Sequence, residues 1–155
     1  MSTRAIQYLK QKRIPFEVVR YEHVEKGAKY AADATGYPLE ATVKTLVVDL
    51  GKQQYSLVLM PGDKQLSMKL LAKACGVKRA VMADIPTAER ITGYLVGGIS
   101  PFAIKKKSVS VIMDGSALNF DRILINGGRR GTMLMLKPAD VRDILGCKVA
   151  DVAEA

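Results

Sequence analysis

Histidine and cysteine are nearly missing from this chain of 155 residues: His23 stands alone, and Cys75 and Cys147 are far apart and form no C-x-x-C pair. Two scattered thiols argue against a disulfide framework and fit a reducing compartment. One histidine with two such cysteines also argues against a zinc site, and with it against metal-assisted hydrolysis. A Ser-His-Asp or Cys-His triad would have to be built on His23 alone. Long apolar runs are absent too. The opening MSTRAIQYLKQKR has no apolar stretch behind its basic residues, as a signal peptide would. No segment reaches the length of a membrane span. The expectation is a cytoplasmic protein with no membrane partner.

Positive charge, by contrast, is plentiful. Lysine and arginine number 24 against 15 acidic residues, a net charge of +9. Such an excess favours polyanionic partners, nucleic acid before a membrane surface, because each phosphate contact releases a condensed counterion. A solvated, highly charged surface is the alternative. A hydrophobic content of 48% with 25% charged residues is ordinary for a folded protein. The length predicts one domain over residues 1–155, with a single continuous core.

Local signals place the elements. Ser2-Thr3 ahead of Ala5, Ile6 and Leu9 predicts a capped amphipathic helix ending near Arg13. Pro15 leads into a strand over Phe16–Tyr21. The segment His23–Gly27 reads as a loop, and Tyr30–Thr35 as a short helix closed by Gly36. VKTLVVDL (43–50) and YSLVLM (55–60) flank GKQQ and read as a β-hairpin, ended by Pro61-Gly62-Asp63. A helix over Ser67–Cys75 stops at Gly76, a strand covers Arg79–Ala83, and Asp84 caps a helix through Thr92 with Gly93 at its end. Tyr94–Val96 has the composition of a buried strand, with Phe102–Ile104 as its continuation. Val109–Met113 and Arg122–Ile125 read as strands, Gly127–Gly131 as a turn, and Met133–Leu136 as the antiparallel return. Pro138 opens a last helix reaching about Leu145. Local hairpins without a steady β-α-β rhythm predict an α+β (mixed α/β) domain, its helices surrounding a mixed, barrel-like sheet that is not doubly wound.

Three loops could carry chemistry: GGISP (97–101), KKK (105–107) and NGGRRG (126–131). In the first, no bulky side chain blocks approach to the N–H groups of Gly98, Ile99 and Ser100, which can line up as an anion or oxyanion nest. The same segment also suits a plain tight turn. NGGRRG reads as a hairpin turn bearing solvated Arg129 and Arg130, and Lys105, Lys106 and Lys107 as a charged face. Together, in one basic chain, the three favour a phosphate-bearing ligand. Strand alternation puts Lys44, Leu46 and Val48 on one side of their strand and Val43, Thr45 and Val47 on the other. Either Lys44 ends in solvent, or its ammonium reaches into a pocket to bind a phosphate or carbonyl. Tyr21, Tyr30 and Tyr94 either line such a pocket or form the boundary of the core.

Taken in order, TRAIQYL (3–9), YEH (21–23), VKTLVV (43–48), LSMKLLAKACGVKRAVMAD (66–84), TGYLVGGISPFAIKKK (92–107) and NGGRRG (126–131) resemble one family along the whole chain. It is the YbaK/prolyl-tRNA-synthetase-associated editing domain family, especially its free-standing Cys-tRNA(Pro) deacylases. The resemblance implies a mixed, barrel-like sheet and a site free of metal and cofactor that hydrolyses the ester of a mischarged tRNA at its acceptor end. Lys44 matches the lysine on which such proteins rely. Gly97 to Pro101 match a G-x-x-x-P loop that holds the terminal ribose and ester carbonyl, with Gly98, Ile99 and Ser100 as its backbone donors. Tyr21, Tyr30 and Tyr94, with Asn126, Gly127, Gly128 and Met133, match the surroundings of the substrate pocket. Lys105–Lys107, Arg129 and Arg130 would attract the tRNA.

Two positions depart from the best-known cysteinyl members, which carry serine at the position of Asn126 and aspartate at that of Met133. The latter change removes a partner for the substrate's ammonium. The expected cargo is a small amino acid, cysteine first (on tRNA(Pro) or tRNA(Cys)) and alanine second. Catalysis would be substrate-assisted, by the vicinal ribose hydroxyl orienting water or by the cysteine thiol cyclising onto the carbonyl. The competing expectations are a non-catalytic tRNA-binding module and an accessory partner of prolyl-tRNA synthetase.

Overall fold

The computed structural model describes residues 2–22 and 27–155. The expected loop at His23 therefore lies outside the described residues, apart from Gly27. Helix α1 (Arg4–Gln11) starts where Thr3 Oγ1 accepts the Ile6 N–H, and strand β1 (Glu17–Arg20) follows. Helix α2 (Ala28–Thr35) ends on Gly36 at φ +74°. Strands β2 (Thr42–Gly51) and β3 (Gln54–Pro61) form the expected hairpin. Its turn residues Lys52 and Gln53 both have positive φ, the type I′ geometry that matches strand twist. Ser67 caps helix α3 (Met68–Cys75), a two-residue strand β4 (Val81–Met82) follows, and Asp84 caps helix α4 (Ile85–Thr92). The rest comprises β5 (Ser110–Asp114), β6 (Ile123–Arg129), β7 (Thr132–Leu136), α5 (Pro138–Leu145) and β8 (Lys148–Ala150).

The eight strands form one mixed sheet in the order β1-β7-β6-β2-β3-β5-β8, with β4 pairing to β2. The path is open, with β1 and β8 at its two ends. Period-two alternation explains how helices cover both sides. Val43, Val47, Leu57, Leu59, Val111, Met113, Ile123, Ile125, Leu134 and Leu136 bury one side against α1, α4 and α5 through Ile6, Leu9, Ala88 and Val141. On the other side Val48, Val58, Met60 and Ile112 pack on Leu71 and Ala72 of α3. Leu124 and Met133 pack there on Ala31 of α2 as a separate cluster. Lys44 stands between these two clusters, opposite Met60 of β3.

Residues 94–108 depart from expectation. No strand forms at Tyr94–Val96 or Phe102–Ile104. Tyr94 and Phe102 are buried, while Leu95 is 74% exposed. The apolar residues act as two anchors at the ends of a loop, each worth roughly 1.5–3 kcal/mol of burial. The expected turn at 127–131 is shorter: β6 continues to Arg129 through a bulge at Gly127-Gly128, leaving Arg130-Gly131 as the turn.

Candidate active site

A cavity of about 260 Å³ lies where β2 and β6 part. These parallel strands pair only at Thr42–Leu124 and Val43–Ile125. Beyond that point β6 enters its bulge, and β2 turns to pair with β4 at Val48 and Asp49. Crevices at the carboxyl ends of parallel strands are where open sheets bind ligands. Thr42 to Thr45 of β2 form one wall, and Asn126 and Met133 another. Val96, Gly97 and Ile99 come from the loop after α4, and Tyr21, Ala28 and Ala31 close the α2 side.

Lys44 is half-buried in this wall. Loss of hydration lowers its pKa below the ordinary 10.5, against a weaker opposing pull from the Asp63 carboxylate. Among the described residues no carboxylate comes within 4.0 Å of its ammonium.

The loop after α4 is held from both sides. The Val96 N–H donates to the Glu89 carboxylate at 2.8 Å, and the Gly98 N–H to the Leu95 carbonyl at 2.8 Å. The Val96 carbonyl accepts from the Arg130 guanidinium at 3.1 Å, and the Gly97 carbonyl from Asn126 Nδ2 at 3.0 Å. Of the three expected backbone donors, Gly98 has its N–H spent inside the turn. The amides of Ile99 and Ser100, and that of Gly97, have no hydrogen-bond partner among the described residues. Gly98 serves close packing instead: a Cβ there would sit 2.9 Å from the Arg129 and Arg130 backbone.

Not every expected site residue reaches the cavity. Tyr21 does, its hydroxyl pKa raised by burial. Tyr30 supports it from behind, with ring centroids 5.9 Å apart and its own hydroxyl donating to the Glu22 carbonyl. Tyr94 lies outside the lining. Its hydroxyl donates to the Phe102 carbonyl, the Arg4 guanidinium covers its ring at 4.6 Å, and a Cβ on Gly128 would meet that ring at 2.8 Å. It braces the bulge from the core. Ser100 is fully buried and its hydroxyl accepts from the Phe102 N–H, and Pro101 is buried beside it. Gly127 and Gly128 form the bulge behind Asn126, whose Oδ1 accepts from the N–H groups of Gly128 and Arg129.

Lys105, Lys106 and Lys107 are exposed and none lines the cavity. The first two use their amides on the carbonyls ending α4, and Lys106 borders a different groove beside Tyr55, Cys75 and Lys148. Sequence reasoning passed over Ala28 and Ala31, small residues spaced i, i+3 on α2, and Thr45 beside Lys44. The Thr45 hydroxyl is buried with no hydrogen-bond partner among the described residues. Those residues also include no group of three His, Cys, Asp or Glu able to hold a metal ion, and no helix long and apolar enough to cross a membrane.

A family model described as the aminoacyl-tRNA editing domain matches residues 23–144. EbsC of Enterococcus faecalis, named as a candidate Cys-tRNA(Pro)/Cys-tRNA(Cys) deacylase, is 28% identical over 97% of this chain and 92% of its own. The multifunctional Ser/Thr-tRNA deacylase ProXp-y of Escherichia coli K12 is 31% identical over 88% of this chain and 83% of its own. A solved structure of a candidate trans-editing enzyme for prolyl-tRNA synthetase superposes with a TM-score of 0.88 at 23% identity, covering 100% of this chain and 99% of that one. That likeness bears on the fold.

Proposed function

The chain belongs to the aminoacyl-tRNA editing domain family, and from that premise we propose that it is a trans-editing deacylase, cleaving the ester between a small, wrongly attached amino acid and the 3′ end of a tRNA. One observation carries the reading. Lys44, whose ammonium has no ion pair among the described residues, lines one small cavity with Gly97 and Ile99, whose amides have no hydrogen-bond partner among those residues. A half-desolvated cation whose neighbouring carboxylate, Asp63, stays beyond ion-pair distance is costly, and a ribose or phosphate oxygen supplies the contact it lacks. Amides aimed at the ester oxygen stabilise the charge it gains when water adds, each worth about 3–4 kcal/mol in known cases. The ester is already activated, and holding it beside its own vicinal hydroxyl contributes a comparable amount through proximity. Lys44 acts as an electrostatic anchor, and the ribose oxygen leaves with a proton.

The size and walls of the cavity select the cargo. Ala31, Val43, Ile99 and Met133 are apolar, and Asn126 has its amide committed to the two glycine loops. This lining suits a cysteine thiol or an alanine methyl, with cysteine on tRNA(Pro) first and tRNA(Cys) next. A hydroxyl-bearing cargo is the second reading. It is favoured by the buried Thr45 hydroxyl, which has no hydrogen-bond partner among the described residues, and by the relative named for serine and threonine. A deacylation screen over Cys-, Ala-, Ser- and Thr-tRNA, on tRNA(Pro) and on the cognate tRNAs, decides between them. Fast turnover of Cys-tRNA(Pro) is the expected result. No turnover of any small aminoacyl ester, with salt-dependent tRNA binding intact, would leave a non-catalytic binding module. Prolyl-tRNA synthetase is the proposed docking partner, checked by co-purification with and without tRNA.

A further inference from the structure

The two glycine loops interlock at a level the deacylase reading does not explain. Arg130 is exposed, yet its guanidinium donates to the Val96 carbonyl at 3.1 Å, and its Nε occupies the space a Gly97 side chain would need, 2.6 Å from that Cβ position. Asn126 uses both ends of its amide. Nδ2 donates to the Gly97 carbonyl at 3.0 Å, while Oδ1 accepts from Gly128 at 2.8 Å and Arg129 at 3.3 Å. Two consecutive carbonyls, Val96 and Gly97, are thus pulled toward the β6–β7 turn.

A trans peptide is planar, so its C=O and N–H point in opposite directions. Pulling the Val96 carbonyl toward Arg130 turns the Gly97 N–H away from it. Arg130 lies outside the cavity lining and Gly97 within it. Pulling the Gly97 carbonyl toward Asn126 likewise turns the Gly98 N–H back onto Leu95, where it closes the turn at 2.8 Å. Glycine at φ +93° would otherwise leave both peptide planes free to rotate.

We propose that Arg130 and Asn126 are positioning residues: they fix the two peptide planes around Gly97 so that its N–H is presented to the substrate ester. Arg130 is then a brace for the loop and not chiefly a phosphate contact. This rests on the deacylase reading, and its failure is separable from that reading's. Inactive wild-type protein on the aminoacyl-tRNA panel sinks the function, whereas active wild type with unaffected variants sinks only the positioning role.

The test is steady-state deacylation by Arg130→Ala, Arg130→Lys and Asn126→Ala, with amide NMR of Gly97 and Ile99 in the free proteins. Losing a charged hydrogen bond of this kind is expected to lower kcat roughly ten- to a hundred-fold with KM little changed. Arg130→Lys, which keeps a donor, should recover part of that loss, and the Gly97 amide resonance should move or broaden in Arg130→Ala. The opposite result is a rise in KM alone, with a shallower dependence on salt and an unmoved Gly97 resonance. That would make Arg130 a phosphate contact and overturn the proposal. An Asn126→Ala protein that fails to fold leaves the Arg130 pair to decide.

Discussion

Lys44 concentrates the electrostatics of the site. Replacing it by alanine removes the one cation among the described residues of the cavity wall. Deacylation should fall about a hundred-fold or more, the range seen when a transition-state partner is deleted, while circular dichroism stays unchanged. Its pH dependence follows from the direction of its pKa. Burial favours the neutral amine, so the cation is lost as pH rises through a value below 10.5. The alkaline limb of kcat/KM should therefore fall below that value, once spontaneous ester hydrolysis is subtracted. Lys44→Arg, charged throughout the range, should abolish the limb even if activity is lower. Gly98 is tested differently. A methyl group there meets backbone atoms at 2.9 Å that cannot swing aside as a side-chain tip could. Gly98→Ala should cost roughly 1–3 kcal/mol of stability and lower Tm, read by thermal unfolding, with turnover lost as well.

Helix ends carry much of the order around the site. Thr3 caps α1 through the Ile6 N–H and sends its hydroxyl proton to the Gly127 carbonyl at 2.6 Å. Thr3→Ala removes both, so the expected loss is at least the ~1 kcal/mol of an ordinary cap, or about 2–4 °C in Tm for a domain of this size. Such caps were legible in the sequence, as were the glycines closing α2, α3 and α4, because capping is local chemistry. The faces of β2 were legible for the same reason: Val43 and Val47 do lie opposite Leu46 and Val48. Longer-range facts were not. Tyr94–Val96 looked like a strand because its residues favour strands, but burial of two separated anchors outweighed that preference. β8 is three residues long and pairs in parallel with β5, a partner far away in the chain. The cavity arises from two strands separating, and Ala28 and Ala31 acquire meaning only once α2 is placed against β2. That Tyr94 faces the core and Tyr21 the cavity depends on packing no local pattern reports.

On the scale of the molecule, the net charge of +9 should express itself in rates of encounter. kcat/KM for a mischarged tRNA should fall steeply with added salt, through KM and not through kcat. Changing Lys105, Lys106 and Lys107 together to alanine should flatten that dependence without altering kcat, because none of them reaches the cavity. Turnover measured at several ionic strengths checks both. A loss of kcat in the triple variant would instead show that one of these ammonium groups acts in turnover, because the Lys105 and Lys106 amides that hold the α4 terminus persist in the alanine variant.

The gap between β2 and β6 has a consequence for how such proteins diversify. A hollow carved from the packed interior can be enlarged only by removing core volume, which weakens the whole molecule. A fork between two strands is adjusted at its tips. One glycine more or fewer in the Gly127-Gly128 bulge, or a shorter Val96–Ile99 bend, would resize the receptacle while α3 and α5 stay seated, at the cost of remaking only the Thr3 and Glu89 bonds that tie α1 and α4 to the two loops. Cargo preference can thus drift over one scaffold while the packed faces of the sheet are left in place.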